Sequence, residues 1–153
     1  MTEIKRTLRF ERRAAPVLPE HRPLYKIAQL LLILQFASRG GKSSLPRLQL
    51  FNWAFKTKER QNRLVAAVGS NRLNVAAWGF DPAVAIALKF AVAEALIHTT
   101  STGYQITNGG KKFIETVCKE PESLLPERNL LEKIGKSITE TMVTEVAQSW
   151  MVT

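Results

Sequence analysis

The segment most suggestive of chemistry is Ser38-Arg39-Gly40-Gly41-Lys42-Ser43-Ser44. It ends like a phosphate-binding loop, in which glycines let backbone N–H groups approach phosphate oxygens, a lysine reaches the outer phosphates and a hydroxyl holds a metal ion. Such a loop needs a glycine five residues before its second glycine. That position is Phe36, inside a stretch that reads as helix rather than as a strand end. Other candidates for catalysis are equally isolated. His21 and His98 lie far apart, and the one aspartate, Asp81, precedes Pro82, where it suits a helix cap. Glu120 and Glu122 flank Pro121 and read as solvated linker carboxylates rather than a general acid–base pair. Cys118 is the single cysteine, so no internal disulfide and no cysteine-based zinc cluster can form, and without a histidine beside it in sequence the thiol reads as inert. The expectation is a non-enzymatic protein with no catalytic residue, no cofactor and no metal site.

The elements that would position these residues follow from apolar spacing. Residues 24–38 read as a first helix, with Leu24, Ile27, Leu31 and Leu34 at helical intervals. Leu30, Leu32, Ile33 and Phe36 widen its apolar surface, so it is either central in a core or covered by partners. Residues 38–44 close it as a loop. Ser44 then caps a second helix with Pro46 in its first turn; Leu45, Leu48, Phe51 and Phe55 share one face, and Leu50 and Trp53 fall on the other. A charged run, 56–63, leads into a further helix that stops at Gly69-Ser70-Asn71. Residues 73–78 suggest a short strand. Asp81-Pro82 begins an alanine-rich helix to about Ala95. Residues 96–100 and 103–107 read as two strands around a tight turn, and Thr107 or Asn108 caps a helix to about Lys119. Pro121 and Pro126 bracket a linker. One last helix is expected from Glu127 to Met151, with Leu131, Ile134, Ile138, Met142 and Val146 along one side.

The organisation expected is a basic arm over 1–23, a domain over 24–120, and a C-terminal helix over 121–153 that packs on the domain or on a partner. The net charge of +9 is one-sided. Residues 1–72 hold 15 Lys and Arg against 4 Glu, whereas residues 73–153 hold 7 against 9 acidic residues. Such a bias suits an anionic partner, either nucleic acid or an acidic protein surface, although a face turned to water would look the same. The basic N-terminus lacks the continuous apolar stretch of a signal peptide. The longest apolar run, 27–37, is about half the ~20 residues that span a bilayer. No membrane segment is expected, and the reading is cytoplasmic.

The most informative constellation is Glu94-Ala-Leu-Ile-His-Thr-Thr-Ser-Thr-Gly-Tyr-Gln-Ile-Thr-Asn-Gly-Gly-Lys-Lys-Phe113. It resembles the ending of bacterial winged-helix proteins: a third helix closing in a small-Leu-Ile step, a hairpin wing, then Tyr-x-Ile-Thr-x-x-Gly leading into the next helix. Leu96 and Ile97 carry the chain from helix to sheet, Gly103 makes the turn, Tyr104 and Ile106 alternate onto one sheet face, and Gly109 or Gly110 allows a close backbone. The fold class implied is mainly α, a winged helix-turn-helix with a short β-hairpin wing, an N-terminal arm and a C-terminal helix.

A winged helix invites a DNA-reading role, and the residues fit it poorly. The third helix should offer Arg, Lys, Asn, Gln or Ser to base edges. Here residues 82–95 carry only Lys89 and Glu94 as charges, and the turn 99–102 has no Lys or Arg. A helix so apolar is more at home between layers of protein or against another polypeptide. The basic residues sit elsewhere. Arg9, Arg12 and Arg13 in the arm, Arg39 and Lys42 in the loop, and Lys56, Lys58, Arg60 and Arg63 after the second helix could hold phosphates without reading sequence.

The whole layout, including Leu45-Pro-Arg-Leu-Gln-Leu-Phe-Asn-Trp-Ala-Phe55, is similar to the small middle components of bacterial ABC three-component systems, the group that includes Lamassu-type antiphage defence. The resemblance spans roughly residues 20–118. It implies a non-catalytic adaptor between an SMC/Rad50-like, chromosome-maintenance type ATPase and an effector, often a nuclease, with DNA backbone a further contact. Leu50 and Trp53 then offer one protein-binding surface, and Leu131, Ile134, Ile138 and Met142 another. The alternative is a winged-helix transcription regulator that uses Lys89, Lys111 and Lys112 together with the basic arm.

Overall fold

A computed structural model describes residues 23–149. The described residues form seven α-helices and three short strands. These are α1 (Pro23–Phe36), β1 (Lys42–Ser43), α2 (Leu45–Phe55), α3 (Lys58–Ser70), α4 (Pro82–Ala93), β2 (Ile97–Thr99), β3 (Tyr104–Ile106), α5 (Asn108–Cys118), α6 (Leu125–Ile134) and α7 (Glu140–Ser149). The fold is mainly helical with one small antiparallel sheet. The expected arm lies outside the described residues.

Helix α1 is the centre of the molecule. Ile27, Ala28 and all five residues from Leu30 to Leu34 are buried, because α2, α4, α5 and α6 pack around it. Its broad apolar surface is therefore covered by the chain itself, except at Phe36, which is 46% exposed. Each buried Leu or Ile contributes roughly 1.5–3 kcal/mol relative to exposure. Three polar side chains on this helix donate to polar partners, while Gln29 Oε1 and Glu127 Oε1 are buried without a hydrogen-bond partner among the described residues. Lys26 Nζ donates to Asn52 Oδ1 at 2.5 Å, Gln29 Nε2 donates to Glu127 Oε2 at 2.8 Å, and Tyr25 donates its hydroxyl to the same oxygen at 2.7 Å.

The sheet runs in the order β1-β3-β2, both pairings antiparallel, with Ser43 opposite Tyr104 and Ile97 opposite Ile106. β1 falls within what the sequence suggests is loop. A 3-10 turn, Arg39–Gly41, reverses the chain after α1 and delivers Lys42 and Ser43 to the free edge of β3. Of the two glycines expected to allow a close backbone, Gly110 is the one that leaves no room for a side chain. A side chain there would collide with the Leu96 carbonyl, which lies where α4 passes into β2.

Three expectations are corrected. Residues 73–78 form no strand, although Leu73, Val75 and Trp78 are buried and Trp78 Nε1 donates to the Pro46 carbonyl at 2.9 Å. Burial of spaced apolar residues reports which side meets the core, but a ladder also needs a neighbouring edge. Second, Pro126 does not bound a linker; it lies in the first turn of α6, where a missing N–H leaves no hydrogen bond unmade. Third, the single C-terminal helix is two. Gly135 adopts φ 57° and ψ −137°, outside helical space, and Thr139 starts α7 by accepting from Met142 N at 3.2 Å. Helix α6 packs on α1 and α3, and α7 packs on α2.

Candidate functional site

The start of α4 is fastened by local chemistry. Asp81 Oδ1 accepts from Ala83 N at 3.0 Å, and Oδ2 accepts from Asn52 Nδ2 at 3.0 Å with Lys56 Nζ 3.5 Å away. Burial pushes the Asp81 carboxyl up, but the hydrogen bonds from Ala83 and Asn52 and the charges of Lys56 and Lys26 together outweigh it and hold the group below its ordinary value. Pro82 follows in the first turn, so α4 begins at a defined point and angle.

That anchoring fixes which side of α4 meets the core. Val84, Ala87, Leu88 and Ala91 are buried against α1. The other side carries Ile86, Lys89, Phe90 and Ala93, at intervals of three and four. Ile86 is 51% exposed and Phe90 52%, with Phe80 at 61% just before the helix and Val92 at 38% near its end. Lys89 is the one cation on this helix. The surface offers aromatic and aliphatic area with almost no hydrogen-bonding capacity. Lys89 is its single group able to contact a base edge, and the rest can bury apolar area against another polypeptide. Sequence reasoning identified the helix but not which of its residues face outwards; the Asp81 cap, which fixes its start, was the available signal.

The six residues expected to form protein-binding surfaces lie elsewhere. Leu50 is fully buried, in a helix on which α1, α3, α4 and α7 all pack. Trp53 is half-buried, with Arg60 stacked 4.8 Å from its ring and donating from Nη1 to the Trp53 carbonyl at 3.2 Å. Leu131, Ile134, Ile138 and Met142 are all buried in the core. A helical wheel shows which residues share a side, not what covers that side.

Of the nine residues expected to contact phosphate, Arg9, Arg12 and Arg13 lie outside the described residues. Lys56 is drawn to Asp81, Arg60 to Trp53, and Arg63 donates to the Asn74 carbonyl at 3.4 Å. Lys58 is exposed at the start of α3. Arg39 and Lys42 are brought together in a cleft of about 600 Å3, which Lys136, Arg47 and Glu140 also line. These last three were not legible in the sequence, because the cleft forms only when α7 folds back over the start of α2.

Arg47 forms the buried wall of that cleft. Its Nε donates to the Ile138 carbonyl at 2.8 Å, Nη1 to Ser38 Oγ at 2.8 Å, and Nη2 to the Ala37 carbonyl, while the guanidinium sits 5.0 Å from the Phe51 ring centre. Burial pulls its pKa down to about 10, and the charge of Glu140 partly opposes that shift. Cys118 is half-buried and burial pushes its thiol up, the direction of lower reactivity at neutral pH. Among the described residues no group of three or more His, Cys, Asp or Glu is placed to hold a metal ion. No helix among them is long and apolar enough to cross a membrane. Compared with known protein families, curated proteins and solved structures, this chain matches none of them.

Proposed function

We propose that this protein is a non-catalytic adaptor, a winged-helix module that binds another polypeptide through α4. The order α1-β1-α2-α4-β2-β3 and the sheet order β1-β3-β2 support the winged-helix reading, with α3 as an addition between the two helices of the helix-turn-helix. In that arrangement α4 occupies the position from which DNA-reading relatives address base edges. The observation that carries the proposal is the chemistry of its outward side: Ile86 and Phe90, each more than half exposed, with Lys89 between them, and Phe80 exposed just before the helix.

The partner this surface fits is an amphipathic helix with an apolar stripe and an acidic residue opposite Lys89. A coiled-coil ATPase of the chromosome-maintenance type supplies helices of that kind, and the resemblance to the middle components of Lamassu-type systems favours it over other partners. A nuclease effector would complete the assembly. The test is co-expression with an ATPase and effector encoded beside this chain, followed by size-exclusion chromatography with light scattering. A stable complex that the substitution Phe90→Glu dissolves, with the variant still folded, is the expected result. A folded monomer that recruits neither protein, or strong sequence-preferring binding to one promoter, would overturn the reading in favour of a regulator.

A further inference from the structure

The cleft is walled by four parts of the chain: the turn after α1 with β1, the start of α2, the β2–β3 turn, and the α6–α7 connection with the first turns of α7. Four cations line it, against one carboxylate. Arg39, Lys42 and Lys136 are exposed and form no ion pair among the described residues. Arg47 is buried behind them and donates to the protein itself. The carboxylate, Glu140, is already occupied: Oε1 accepts from Ser44 Oγ at 2.7 Å and Oε2 from Ser44 N at 2.9 Å. The remaining lining is rich in hydroxyls, with Thr100 and Thr102 from the β2–β3 turn and Thr141 and Thr144 from α7. Ile138, the one large apolar residue in the lining, is fully buried.

We infer that this cleft binds the phosphodiester backbone of a nucleic acid without reading its sequence. Free cations among threonine hydroxyls are the side chains that contact phosphate oxygens, whereas an acidic protein segment of comparable size would also need apolar area to bury. The cleft presents no base-reading amide and no exposed aromatic ring. Binding there is electrostatic, and its affinity falls steeply with salt. Glu140 opposes it, as the one negative charge facing the incoming phosphates. This site is distinct from α4, so it stands or falls independently of the protein partner.

The test is fluorescence anisotropy of the full chain with a labelled duplex of random sequence, across a salt series. Two triple variants remove the same charge: Arg39→Ala with Lys42→Ala and Lys136→Ala in the cleft, and Lys58→Ala with Lys119→Ala and Lys133→Ala elsewhere on the surface. The cleft variant should lose about tenfold or more in affinity and lower the salt slope by about 2–3, at ~0.9 per phosphate contact. The second variant should leave the slope near that of the parent, and both should melt with it. Glu140→Gln, whose amide oxygen can still accept from Ser44, should tighten binding. Equal losses in the two triple variants would reduce the effect to net charge and overturn the inference. So would no binding by the parent at low salt, weaker binding by Glu140→Gln, or displacement of the duplex by polyglutamate as readily as by unlabelled DNA.

Discussion

The side-chain amide of Gln49 holds both backbone groups of Asp81, with Oε1 accepting from the Asp81 N–H at 2.9 Å and Nε2 donating to its carbonyl at 3.2 Å. Gln49 is buried in α2, and Asp81 caps α4, so Gln49, together with Asn52, ties α2 to the start of α4. Replacing Gln49 with Leu keeps the volume, leaves the Asp81 N–H without its partner and leaves the Asp81 carbonyl with the Val84 N–H alone. The expected cost is about 1–3 kcal/mol, read from urea unfolding as a lower midpoint at unchanged slope. A variant as stable as the parent would mean that water replaces the amide in full.

Asp81 should make the fold acid-sensitive. Its folded pKa lies below its ordinary value of 3.8, so the unfolded chain takes up the proton first as pH falls. The contribution is fully present above about pH 4 and is lost as pH drops through the folded value. Asp81→Asn can still cap the helix, but it removes the charge that faces Lys56 and Lys26. Its melting temperature should therefore fall less than that of the parent between pH 5 and pH 3. Parallel pH profiles for the two proteins would show that Asp81 does not carry this dependence.

The features read correctly from sequence are those set by neighbours in the chain. Ser44, Asp81 and Thr107 each accept from a backbone N–H two or three residues ahead, so three helix starts are local facts. Strands β2 and β3 follow the β-branched run in the same way. What failed depends on distant chain. Residues 73–78 lack a strand edge beside them, and Leu50 is covered by helices that the wheel of α2 does not contain. The pairing of Lys42 with Lys136 in one cleft required the break at Gly135, which the apolar spacing from Leu131 to Val146 concealed by continuing through it.

The two sides of α4 should respond oppositely to substitution. Leu88→Ala removes a buried side chain against α1 and should cost about 2–5 kcal/mol. Phe90→Glu, two residues on, replaces a half-exposed ring on the outward side and should change stability by no more than about 0.5 kcal/mol. Thermal unfolding of both variants decides the matter. A large loss from Phe90→Glu would show that its ring is part of the core, and the surface proposed for the partner would go with it.

Arg47 should be the most consequential polar residue in the fold. Its guanidinium joins the Ala37 carbonyl at the end of α1, Ser38 just beyond it, and the Ile138 carbonyl in the α6–α7 connection. Arg47→Met keeps most of the apolar stem but takes the guanidinium donor from the Ala37 and Ile138 carbonyls, while Ser38 keeps the bond it donates to the Ile33 carbonyl. The expected loss is about 3–5 kcal/mol. Arg47→Lys should recover only a small part of it, because one ammonium cannot span acceptors that the planar fork reaches in separate directions. Since Ile138 enters α7 and Glu140 begins it, the loss should be uneven. Amide exchange should accelerate most across α7 and the 135–139 connection, and less in α1. Uniform acceleration would mean that Arg47 serves the core at large, and that α7 holds its place over the cleft by other contacts.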